Sequence, residues 1–156
     1  MQPCISIRYI RTPGFISDAI CWVNGSLVSH VEFGTPDGTW IGAHSPGGVQ
    51  ERPADYCKPV LEWIYDIPCT QDIQDAHLKR IRAQIGTHYN TLDILGILIR
   101  NRKLTSPGRV ICSQFVSAEA LILWWNRYLN LLHGWEYLVT PEMSHLSPIL
   151  IGHRRK

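Results

Sequence analysis

Several absences narrow what this chain can do. Its 156 residues carry a formal net charge of only +2, with 18% charged residues, so no dominant basic surface awaits nucleic acid or an anionic membrane. Lysine and arginine cluster at Arg100-Asn-Arg-Lys103 and in the tail His153-Arg-Arg-Lys156, and both read as solvated ends. Five cysteines (4, 21, 57, 69 and 112) form an odd set with no CxxC and no regular spacing, which argues against a disulfide framework or a zinc site. The start, Met-Gln-Pro-Cys-Ile-Ser-Ile-Arg, has no basic segment followed by an apolar one, so no signal peptide is expected. The longest apolar run, Ala120 to Trp125, is far too short for a membrane span. Phosphate loops of the GxxxxGK[ST] type, HExxH and GxSxG are also missing. No metal or cofactor is expected. A cytoplasmic location with reduced thiols is expected, with carriage inside a virus particle as the open alternative.

What remains is an ordinary globular composition. Apolar residues make up 45% and there are six tryptophans, enough for one core in a single domain spanning 1–156. There are no internal repeats. Residues 5–10 suggest an opening strand, and Ser17 to Asn24 a short helix with Ser17 as N-cap and a turn at Asn24-Gly25. His30 to Phe33 and Thr39 to Ala43 flank Gly34-Thr-Pro-Asp-Gly38 as a β-hairpin. Val49 to Glu51 continues as a strand, and Pro59 to Ile67 has the composition of a buried one.

Helices follow Pro68. Thr70 is placed to cap one on which Ile73, His77, Leu78, Ile81 and Ile85 share a face until Gly86. A short helix is expected over 91–100. A long one begins at Cys112, with Phe115, Ala118, Ile122, Trp125, Leu129 and Leu132 at helical spacing. Strands first and helices later define an α+β chain: a small antiparallel sheet with helices packed on it.

Two distant residues carry the chemistry. His30 lies at the start of a strand, and Cys112 in the first turn of a helix, where the dipole favours thiolate. A histidine beside such a thiolate can shuttle its proton. Free amides of that first turn, at Cys112 and Ser113, can donate to an oxyanion. The plain alternative is a buried cysteine that only packs.

Strand alternation points His30 and Glu32 the same way, so the carboxylate is placed to orient the imidazole, unless it is merely an exposed strand residue. Across the hairpin, Gly42 or His44 faces His30, depending on register. His44 is therefore an alternative orienting residue, or else a solvated one before Ser45-Pro46. Tyr89, in a loop before a helix, either lines the site or plugs the loop.

These motifs in this order resemble a family. Ser29-His-Val-Glu-Phe33, Trp40-Ile-Gly-Ala43, Gly47-Gly-Val49, Tyr89-Asn90 with Leu92 and Leu95-Gly96, and Cys112-Ser-Gln-Phe-Val116 are similar to the circularly permuted NlpC-like cysteine peptidases, papain-like proteins often described as YiiX-like. The resemblance spans about residues 15–120, and Val139-Thr-Pro-Glu-Met143 looks like the family's closing segment. It implies a permuted papain-like fold, Cys112 as nucleophile, and His30 as general base and then acid. Where many relatives carry a third polar residue this chain has Gly42, so Glu32 or His44 substitutes, or the site is a dyad.

The expected activity is hydrolysis of an amide in a peptide or isopeptide, cell-wall peptide among them, through an acyl-enzyme. Two other readings stand beside it. One is a thioester-forming lipid acyltransferase resembling the lecithin:retinol acyltransferase-like proteins, with Trp22, Trp40 and Trp63 supplying an apolar mouth. The other is an idle structural or binding module, phage-associated or not, with a protein partner.

Overall fold

The computed structural model describes residues 2–88 and Arg155. Five strands and two helices follow in the order β1 (Cys4–Arg11), α1 (Phe15–Asn24), β2 (His30–Gly34), β3 (Trp40–His44), β4 (Gly48–Arg52), β5 (Leu61–Pro68) and α2 (Gln71–Ala83). The strands form one antiparallel sheet in the order β4-β3-β2-β1-β5, so the chain returns after β4 to pair at the opposite edge. This is the α+β arrangement expected of the sequence.

The period of two along each strand divides the sheet into faces. Ile5, Ile7 and Tyr9 of β1, Val31 and Phe33 of β2, Ile41 and Ala43 of β3, and Tyr65 and Ile67 of β5 build the core, joined by Ile81 of α2. The opposite face carries Arg8, His30, Glu32, Gly42 and His44. It is where the candidate chemistry lies.

Both helices depart from expectation in detail. α1 begins at Phe15, after Gly14 at φ 131°, so Ser17 lies inside the helix and is not its cap. Its hydroxyl instead meets that of Ser29 at 2.7 Å, while the Ser29 amide donates to the Ile10 carbonyl at 3.0 Å. Those two bonds tether the chain immediately before His30. At the other end, left-handed Gly25 closes α1, as the Asn-Gly turn suggested.

In α2 only the middle of the anticipated stripe is seated: His77 and Ile81 are buried, Leu78 partly so, and Ile73 and Ile85 are exposed. The helix then clips onto β4, with the Val49 amide donating to the Thr87 carbonyl and the Gly86 amide to that of Val49, each at 2.9 Å. Gly48 permits this approach, since a β-carbon there would stand 2.0 Å from the Thr87 oxygen.

The tail is not simply solvated. Arg155 donates its amide to the Ile64 carbonyl on β5 at 2.7 Å and grips Asp66 through two nitrogens at 2.6 Å. Among the described residues, no helix is long and apolar enough to cross a membrane.

Candidate functional site: a buried His-Glu-His cluster

Register assembles the site. β2 and β3 pair Phe33 with Ile41 and Gly34 with Trp40. Continued up the hairpin, that register sets Glu32 against Gly42 and His30 against His44. The imidazole rings of His30 and His44 lie 4.7 Å apart, tilted by 46°. On the other side, β1 pairs Arg8 with Glu32 and Ile10 with His30.

Glu32 is fully buried, not an exposed strand residue, and His44 is 7% exposed at the end of β3, not a solvated loop residue. Their strand neighbours explain this: the sheet centre is covered on both faces, and every residue of β3 is buried. A buried carboxylate needs partners to offset a desolvation penalty of several kcal/mol. The Tyr56 hydroxyl donates to Glu32 at 3.0 Å to Oε1 and 3.3 Å to Oε2, and Arg8 reaches Oε1 at 3.5 Å while pairing with Glu62 at 2.5 Å. The Arg8 guanidinium also stacks over Trp40 at 5.1 Å.

Glu32 Oε2 faces the imidazoles. His30 Nε2 stands 3.9 Å from it and His44 Nε2 3.8 Å. Both Nε2 atoms are buried and lack a hydrogen-bond partner among the described residues. Burial disfavours charge on either ring. It holds His30 well below its usual range, helped by His44 and by Arg52 and Arg8, and lowers His44 to about 4, helped by Arg52. Burial likewise raises Glu32 to about 7, against the opposing pull of Arg8 and of the Tyr56 hydrogen bond. Neutral imidazoles at these separations are near neighbours of the carboxylate, not ion pairs.

Gly42 opens the floor between them. A β-carbon on it would lie 3.4 Å from both His30 Nε2 and His44 Nε2, and 2.9 Å from Glu32 Cβ. The three side chains thus converge over a position where a β-carbon would crowd Glu32. Their donor atoms all fall within 4.8 Å of one another, a set able to take a metal ion that motif spacing did not reveal.

The structure therefore brings together His30, Glu32 and His44. Cys112, Ser113 and Tyr89 lie outside the described residues. Arg8 and Tyr56 were missed by sequence reasoning; the one available signal was that a carboxylate buried beside His30 would need a cation and a donor. Of the tryptophans proposed for an apolar mouth, Trp40 is buried, Trp63 packs against the core, and only Trp22, 84% exposed, is strongly open to solvent.

Fold and site together define an α+β domain with a polar cluster sealed into its sheet. No family model matches the chain, and no curated protein does. Among solved structures it is similar to the metalloprotein yiiX from Escherichia coli O157:H7, a protein of DUF1105, at 15% identity and a TM-score of 0.58, over 80% of this chain and 68% of that one. The likeness is one of fold, and it agrees with a YiiX-like architecture.

Proposed function

We propose that this chain is a cysteine hydrolase on a permuted papain-like fold of the NlpC kind, cleaving an amide in a peptide or isopeptide. The observation that carries the reading is His30, largely buried and held neutral by desolvation, with a carboxylate on its own strand face and Gly42 below its Nε2. A neutral imidazole is the form that accepts a thiol proton.

In this mechanism His30 takes the Cys112 proton and the thiolate attacks the amide carbonyl carbon. Amides of Cys112 and Ser113 receive the oxyanion. Collapse breaks the C–N bond as His30 returns its proton to the leaving amine. Water, deprotonated by His30, then splits the thioester, and the proton goes back to the thiolate. Glu32, 3.9 Å from His30 Nε2 and not hydrogen-bonded to it, would stabilise the ring's charged state in the intermediates through its own charge.

The test is the rate of iodoacetamide alkylation of Cys112 against pH, in the wild type and in His30→Ala. A free cysteine titrates near about 8.5 and activated ones at roughly 3.5–7.5. A depressed value that rises without His30 supports the reading. An inert Cys112, or one indifferent to His30, overturns it and favours the structural module.

A second reading is favoured by the orphaned Nε2 atoms of His30 and His44 beside Glu32. Two imidazoles and a carboxylate are a donor set for a divalent transition metal, and the similar protein from Escherichia coli is called a metalloprotein. Glu32 Oε1, nearer to Tyr56 and reached by Arg8, would be the anchored oxygen, and Oε2, with only the longer 3.3 Å Tyr56 contact, the ligand.

A further inference from the structure

The two readings compete for one atom. Resting on the thiol-hydrolase reading, we infer that a zinc-like divalent ion bound by His30 Nε2, Glu32 Oε2 and His44 Nε2 switches the thiol chemistry off, so that metal-bound and thiol-active forms are mutually exclusive states of one site.

The argument starts from the imidazole. A neutral ring has one N–H and one lone pair. His30 Nε2 is the nitrogen turned toward Glu32 and His44 across the space over Gly42. If its lone pair goes to a metal, the ring's single proton resides on Nδ1. No acceptor is then left for a thiol proton, whichever nitrogen faces Cys112. Base catalysis and metal ligation therefore cannot coexist on this ring.

Geometry allows the metal-bound state once the side chains close in, since the three donor atoms already lie within 4.8 Å of one another. Tetrahedral ligands at roughly 2.0–2.1 Å from zinc stand about 3.3 Å apart. The Nε2 to Oε2 separations here are 3.9 and 3.8 Å, so each needs only about half an ångström of closure. His44, nine-tenths buried and aimed into the space with no hydrogen-bond partner among the described residues, has otherwise nothing to do with its Nε2. Three protein donors leave a fourth position open, as in zinc sites that exchange ligands. Hard cations such as magnesium prefer all-oxygen shells and would be poor occupants.

The whole chain, stripped of metal by chelator, tests this in two measurements. Cobalt, as an optical stand-in for zinc, is titrated by visible absorption, with zinc followed by calorimetry; iodoacetamide labelling of Cys112 is then timed with and without zinc. Expected are one bound ion per chain, affinity lowered at least tenfold in His44→Ala and Glu32→Gln, and labelling slowed at least tenfold by zinc, restored by chelator and unmoved by magnesium. The reversal by chelator is read on wild type, so it holds even if a variant fails to fold. A chain that binds neither ion, or binds as well without His44, overturns the proposal. Full metal binding with undiminished labelling overturns the exclusion. Metal-free Cys112 that labels slowly with or without His30 fails the thiol reading instead, and the cobalt titration still decides the metal site.

Discussion

Gly42 and Glu32 face one another across β3 and β2 so closely that a β-carbon on Gly42 would stand 2.9 Å from Glu32 Cβ. The neighbour would have to move, and it sits at the fully buried centre of the sheet. Gly42→Ala should therefore destabilise the domain by about 1–3 kcal/mol, the range for overpacking a filled core. The added methyl would also sit 3.4 Å from the Nε2 atoms of both imidazoles, in the way of a shared ion. Urea unfolding measures the first effect, and the cobalt titration measures the second.

Glu32 depends on Arg8 and Tyr56 in different ways. Removing the Tyr56 hydroxyl as Tyr56→Phe takes one donor from a buried carboxyl and should cost about 1–3 kcal/mol. Arg8→Met removes the cation shared by Glu32 and Glu62 and should cost more, about 3–5 kcal/mol at pH 8. Arg8 pulls the Glu32 value down, so its loss pushes that value above about 7. Near pH 5 Glu32 is protonated in both forms, and the difference between wild type and Arg8→Met should shrink. Urea midpoints at the two pH values provide the check. An undiminished difference would place the Arg8 contribution elsewhere, with Glu62 or Trp40.

How much of this was legible follows from which forces are local. Strand alternation alone placed His30 and Glu32 on one face, and turn residues delimited the hairpin. His44 was readable only through register, which alternation leaves ambiguous by the shift that exchanges Gly42 for His44. Arg8 was out of reach because β1 meets β2 across an intervening helix, so no sequence spacing encodes the pair Arg8 and Glu32. Tyr56 reaches Glu32 from a loop with no period at all. Ser17 has the chemistry of an N-cap, but Gly14 starts the helix earlier and frees that hydroxyl for Ser29. The readings at Cys112, Ser113 and Tyr89 lie outside the described residues, so the nucleophile rests on sequence.

The Ser17 to Ser29 bond yields a prediction of its own. It ties α1 to the residue before His30, and both hydroxyls are buried. Ser17→Ala leaves Ser29 a weaker contact with the Ile10 carbonyl at 3.5 Å and should cost about 1 kcal/mol. Faster amide exchange should concentrate at residues 29–31 if the tether positions His30. Uniformly faster exchange would make it a general stabilising contact only.

His77 sets up the clearest dependence on pH. It lies buried on α2 with its ring edge-on to Phe33, centroids 4.5 Å apart, and neither ring nitrogen has a hydrogen-bond partner among the described residues. Burial, helped by the Arg80 charge, lowers its value from 6.5 to about 4. The unfolded chain therefore binds a proton that the folded one refuses between those two values. Stability from neutral His77 is complete above pH 6.5, falls as pH drops through the window, and is lost below about 4, an amount of about 3 kcal/mol. Glu32 works in the opposite sense: its folded value of about 7, above the ordinary 4.5, stabilises the fold as pH falls through that interval. Total stability thus sums opposed contributions, and only a difference isolates one group. His77→Leu keeps an apolar body against Phe33 and removes the titration. The gap between variant and wild type in urea unfolding should widen in the variant's favour from pH 7 to pH 4. A gap constant over that range would mean that His77 finds a proton partner when acid reaches it.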